Sequence, residues 1–124
     1  MTPKRTIFAI MASSIFVLSG TIAASAHPRL LSAVPAADGT VKTAPNEVTL
    51  RFNERLEPAF SSVIIRDFEG KQVDKADAKL DKADRRILRV SVPPLAAGVY
   101  KAEWHVMSAD THKVEGDFTF RVGP

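Results

Sequence analysis

The clearest pattern in the chain is a strict alternation at residues 47–53. Val48, Leu50 and Phe52 fall on one face, and Glu47, Thr49, Arg51 and Asn53 on the other. A period of two over that length predicts a half-buried strand. The same period recurs further on. Leu88, Val90 and Val92 alternate with Ile87, Arg89 and Ser91, and Pro93-Pro94 closes the run. Tyr100, Ala102, Trp104 and Val106 alternate with Lys101, Glu103, His105 and Met107, which predicts a long strand with its aromatic residues inward. Phe118, Phe120 and Val122 follow Gly116 at the same spacing, with Asp117, Thr119 and Arg121 outward. Val63-Ile64-Ile65 is β-branched without alternation, and so predicts a strand buried on both faces or at a sheet centre. Leu30 to Val34 is a shorter apolar run closed by Pro35.

Turn chemistry separates these runs. Ala37-Asp38-Gly39-Thr40 is one turn, with Gly39 able to take a positive φ. Ala44-Pro45-Asn46 and Glu69-Gly70 are others, and Val73 falls on the strand returning from the second. Glu54 to Pro58 is a connection with room for one helical turn. Asp74 to Arg86 carries a near-repeat, Asp74-Lys75-Ala76-Asp77 and Asp81-Lys82-Ala83-Asp84, whose mixed charges predict a solvated hairpin or short helix. A charged docking loop is the alternative for that stretch. The total is about seven short strands with almost no helical periodicity. The architecture implied is all-β, a sandwich or barrel with Greek-key connections.

Composition changes this picture at the N-terminus. Lys4 and Arg5, an apolar run from Ile7 to Val17 and small residues ending Ala24-Ser25-Ala26 form the three parts of a secretory leader. The apolar run falls short of the roughly 20 residues a spanning helix needs, which disfavours an uncleaved anchor. Residues 1–26 are therefore expected to be removed, leaving one domain at 27–124 that is not embedded in a membrane. The net charge of +3 loses Lys4 and Arg5 and no acid, so the mature domain is nearly neutral. That leaves no footprint for nucleic acid. The chain has no Cys, so packing alone must hold the fold.

Cleavage after Ala26 would make His27 the first residue, with an α-amine and an imidazole that together chelate a metal. Amines of this kind ordinarily titrate near 8 and imidazoles near 6.5, so both are readily deprotonated. Pro28 has no amide proton, which closes the route through the next backbone nitrogen. Asp110 and His112 are two apart, and in an extended segment would face one side. Two imidazoles, an amine and a carboxylate suit tetragonal Cu(II). Asp-Thr-His alone is ordinary turn chemistry; the terminal His gives the pair its specificity. His105 is an exposed strand residue that could add a donor, Met107 could serve Cu(I), and Trp104 reads as core.

The chain resembles the CopC/PcoC family of periplasmic copper-binding proteins. The resemblance is carried by His27-Pro28-Arg29-Leu30, by Arg51-Phe52-Asn53-Glu54-Arg55-Leu56, by Tyr100-Lys101-Ala102-Glu103-Trp104 leading into Ser108-Ala109-Asp110-Thr111-His112, and by Gly116 with Phe118-Thr119-Phe120. It implies a cupredoxin-like or immunoglobulin-like sandwich that binds one Cu(II) per chain through His27, Asp110 and His112. It also implies that Glu54 orients a ligand from behind. Some members carry a Met-rich hairpin for Cu(I); Arg66 to Arg86 holds no Met and no His, so no such site is expected here. A membrane copper transporter of the CopD type would be a separate protein. The expectation is a monomeric periplasmic copper carrier or buffer, serving copper resistance and homeostasis and not an enzyme. The rivals are a copper monooxygenase built on a terminal His and a metal-free interaction module. The first needs an open coordination position that Asp110 would fill.

Overall fold

The computed structural model describes residues 27–124, together with Pro3, Ser14 and Ile15. The expected leader lies outside the described residues apart from those three positions. Eight strands follow in order: β1 (Leu30–Val34), β2 (Thr40–Val41), β3 (Glu47–Phe52), β4 (Ser62–Arg66), β5 (Lys79–Leu80), β6 (Ile87–Ser91), β7 (Gly98–Met107) and β8 (Lys113–Val122). A single 3-10 turn, Pro58–Phe60, precedes β4. One sheet has the order β1-β3-β6-β5 and the other β2-β8-β7-β4. All pairings are antiparallel except β2 with β8. The chain changes sheet after β1, β2, β3, β4 and β6, so neither sheet forms from one continuous stretch.

The alternating residues build the core. Val48, Leu50, Phe52, Leu88 and Val90 from one sheet meet Val63, Ile65, Ala102, Val106 and Phe120 from the other, all essentially inaccessible to water. Each of the larger side chains contributes about 1.5–3 kcal/mol by leaving water, and the Ala102 methyl less. The Phe52 and Trp104 rings meet edge to face across the two sheets, 5.1 Å between centroids.

The sandwich stands, with corrections. The described residues hold eight strands instead of about seven, because β2 and β5 are two residues each and too short to show a period. The sheets do not close into a barrel: β1 and β5 are edges of one and β2 and β4 of the other. Val63-Ile64-Ile65 is thus an edge strand with one buried face, and β-branching there reflects a pleated backbone more than a central place. Met107 is buried, not outward. The positive φ of the 37–40 turn falls on Asp38, at 59°, and Gly39 is needed instead for closeness, since a Cβ there would come within 2.9 Å of the Ala36 carbonyl oxygen. Residues 74–86 hold no helix. Their aspartates accept turn amides: Asp74 from Ala76, Asp81 from Ala83 and Asp84, and Asp84 from Arg86.

Candidate metal centre

The two strand pairings that end at the same pole of the sandwich fix the site. β1 enters its pairing at Leu30, opposite Phe52. The residues before it therefore run past Asn53, at the end of β3. The Asn53 side chain accepts the Arg29 N–H at 2.6 Å and donates to the His27 carbonyl at 3.5 Å. Its backbone N–H donates to the Arg29 carbonyl at 3.1 Å. His27 is exposed while Pro28, next to it, is buried, so the first side chain is held out over a fixed base.

On the other sheet, β7 and β8 end their pairing at Met107 and Lys113, and Ser108 to His112 close the hairpin. This loop is a tight turn, not the extended segment expected from the spacing. Thr111 has φ 75°, a left-handed conformation that a β-branched residue rarely takes. The Thr111 N–H donates to the Ser108 carbonyl at 2.9 Å and the Ser108 N–H to the His112 carbonyl at 3.0 Å. The turn, and not strand alternation, brings Asp110 and His112 together. The connection between β3 and β4 then locks this loop down: Ala109 N–H donates to the Arg55 carbonyl at 3.0 Å, and Leu56 bridges to Ser108.

At this pole the His27 and His112 rings meet edge to face, with centroids 4.9 Å apart and planes at 67°. Asp110 Oδ1 lies 3.2 Å from His112 Nδ1. The nitrogen is off the line a hydrogen bond needs, so it is buried without a hydrogen-bond partner. Asp110 is exposed, and its carboxyl is held below the usual carboxylate range, first by the Ser108 hydroxyl that donates to it and next by His112. Among the described residues no three His, Asp or Glu side chains stand ready as a complete metal cage. What is assembled is a pair of imidazoles with one ionised carboxylate. An imidazole nitrogen that has only a carboxylate beside it, and a second ring against that imidazole, are nitrogen and oxygen donors of the types that suit a divalent transition metal, not yet closed into a cage. One more nitrogen, the α-amine that processing would free, belongs to the same residue as the exposed ring.

The remaining candidates sit elsewhere. His105 pairs across strands with Glu115 at 3.1 Å on the exposed outer face. An open groove lined by Phe60, His105, Val106, Lys113, Val114 and Glu115 does not include the two facing rings. Met107 is anchored by its backbone, its N–H donating to Ser61 Oγ at 3.2 Å and its carbonyl accepting from Glu57 at 2.8 Å. Glu54 is half-buried and makes no hydrogen bond or ion pair through its carboxylate among the described residues. Asn53, Ser108 and Thr111 were not among the residues singled out from sequence for this pole. Asn53 stood out only as an outward strand position and as part of the Arg51–Leu56 motif, with no assigned role, and its partner segment is 24 residues away.

A family model described as CopC domain matches residues 30–123, which takes in Asp110 and His112 and begins just after His27. YobA of Escherichia coli strain K12 is 37% identical over 98 residues, covering 78% of this chain and 79% of that protein. Copper resistance protein C of Pseudomonas syringae pv. tomato is 31% identical over 128 residues, covering 98% of this chain and 99% of that protein. Among solved structures, CopC from Methylosinus trichosporium OB3b superposes with a TM-score of 0.73 at 40% identity, over 79% of this chain and 95% of that one.

Proposed function

From the premise that this chain belongs to the CopC family, we propose that its mature form is a periplasmic carrier or buffer for Cu(II), taking one ion per chain. The observation that carries this reading is the meeting of the His27 and His112 rings beside Asp110. Copper is the cargo. His27 would supply its amine and imidazole, His112 a second imidazole and Asp110 a carboxylate. Glu54, next to the Asn53 clamp, would act from behind these donors. Action consists of capture and release, with no bond-breaking step. Cu(II) tops the divalent affinity order at a given N/O site, which gives copper the advantage over nickel and zinc. The site would come into being only when export and cleavage after Ala26 free the amine.

Titration with Cu(II) of the mature protein and of a form retaining one residue before His27 tests this directly. Mass spectrometry of the secreted protein first fixes the terminus. The extended form should bind more weakly by a factor exceeding the roughly 10–100-fold that losing an outer-sphere partner usually costs. Equal affinities would remove the amine from the donor set and leave His27 as a one-nitrogen ligand. Affinity should also fall in acid, since donor nitrogens must be unprotonated to bind.

A further inference from the structure

We propose that Arg55, Lys82, Arg85 and Arg86, at the same pole as the candidate centre, form a docking surface for an acidic segment of a partner protein. The four line one shallow concavity of about 290 Å³ together with Ala83 and Asp84. All four are exposed, and none makes an ion pair among the described residues. Two of the acids nearest them are already engaged. Asp81 holds Arg89 at 3.0 Å and accepts two turn amides. Asp84 holds Arg51 at 3.4 Å and accepts the Arg86 N–H. Glu54 and Glu57 flank Arg55 in sequence and form no ion pair with it. The domain as a whole is nearly neutral, so this is a local surplus of positive charge and not a general one.

The cations are also held in place. The Arg86 carbonyl accepts from Phe52 at 2.8 Å, the Arg85 carbonyl from Leu56 at 3.0 Å and the Arg55 carbonyl from Ala109 at 3.0 Å. Their backbones therefore lose little further freedom on binding, which lowers the entropic cost of docking. Guanidinium groups match carboxylates two hydrogen bonds at a time. A concavity walled by loops suits an extended acidic segment better than a flat bilayer, and four cations in a cluster are too compact for a nucleic-acid track.

The surface is joined to the candidate centre, since Ala109 is the residue before Asp110. On the copper reading above, loading adds positive charge beside the rim. An acidic partner then binds the loaded form more tightly, and by reciprocity its docking strengthens copper binding. That is the preference an acceptor needs in order to recognise a charged carrier.

Fluorescence anisotropy of labelled oligoglutamate with metal-free mature protein tests the surface without relying on copper. Binding is expected at low salt and should weaken at about 0.15 M, where the screening length is about 8 Å. The triple variant Arg55→Ser, Arg85→Ser, Arg86→Ser should lose about tenfold or more, in line with removal of several steering charges. Lys71→Ser, in the turn at the far end of β4, should bind as wild type. If the triple variant does not fold, Arg86→Glu and Lys82→Glu singly give the same reading. Unchanged binding by folded rim variants overturns the proposal. So does rim-dependent binding to phosphatidylglycerol vesicles without rim-dependent binding to oligoglutamate. With one equivalent of Cu(II), tighter peptide binding supports the acceptor role and unchanged binding overturns that role alone. A protein that binds no copper but keeps rim-dependent peptide binding overturns the proposed function and supports the surface.

Discussion

Asn53 joins the N-terminal segment to the end of β3 through its side-chain oxygen, its side-chain nitrogen and its own N–H. Only the last of these survives truncation to alanine. Asn53→Ala leaves the Arg29 N–H without its 2.6 Å acceptor, at a cost of about 1 kcal/mol in stability. The larger effect should fall on Cu(II) affinity, a drop of roughly 10–100-fold, because the clamp orients the terminal donor residue without touching the metal. Titration alongside thermal melting separates the two effects, and an affinity as high as that of the parent would dismiss the clamp. At this scale the proximity of the candidate groups was partly legible in the sequence: His27 beside the expected cleavage point, and Asp110 and His112 two apart. Their holders were not. Ser108 and Thr111 act through one tight turn whose left-handed residue is a threonine, which no propensity would assign there.

The β7–β8 hairpin shows how far a two-residue period reaches. Inward and outward faces of both strands were readable because aromatic and β-branched residues recur on one side. Close approach was not readable. Gly116 lies opposite Trp104 in register, and a Cβ there would crowd Trp104 Cζ2 and stand 2.8 Å from Cε2. Gly116→Ala must therefore move the indole, which is packed edge to face on Phe52. Overpacking of this kind costs about 1–3 kcal/mol, and urea unfolding should show the midpoint falling by a corresponding amount. A midpoint equal to that of the parent would mean the ring swings aside freely. Pattern also failed at strand ends. Met107 sits where alternation says outward, but β7 finishes there and the chain turns in beneath the 3-10 turn, with Ser61 and Glu57 holding its backbone.

Across the molecule, the candidate centre draws His27 from before the first strand of one sheet and His112 from the hairpin of the other. Two-layer packing was implied by seven or so amphipathic runs; which loops share a pole depends on sheet order, and the sequence carries no local sign of it. Acid-sensitive carboxylates lie both at this pole and away from it. Asp110 is depressed by Ser108 first, Asp81 by the Asp84 amide and then Arg89, and Asp77 by hydrogen bonds from Ser91. A carboxyl with a lower pKa folded than unfolded stabilises the fold above its ordinary pKa, near 3.9, and loses that contribution as pH falls through the lower folded value. The melting temperature of the metal-free protein should therefore stay level from neutral pH to about 5 and decline below about 4. A decline already complete by pH 5 would assign acid lability to other groups. Copper affinity should fail at higher pH than the fold, because it depends on nitrogen donors.

The anchoring of Arg29 by Asn53 has a consequence for encounter. On the proposed cleavage, only Pro28, itself buried, and His27 would precede Arg29, and Asn53 also holds the His27 carbonyl at 3.5 Å. Two residues span about 7 Å at full stretch, and one amine confined within that radius has a local concentration of roughly molar order. On the proposed site, an ion that had reached His112 and Asp110 would meet the amine as part of the same molecule, with no search through solution. On the proposed function, signal cleavage would do more than expose a ligand: it would release it on a leash short enough to make the closing of the chelate nearly free of diffusion.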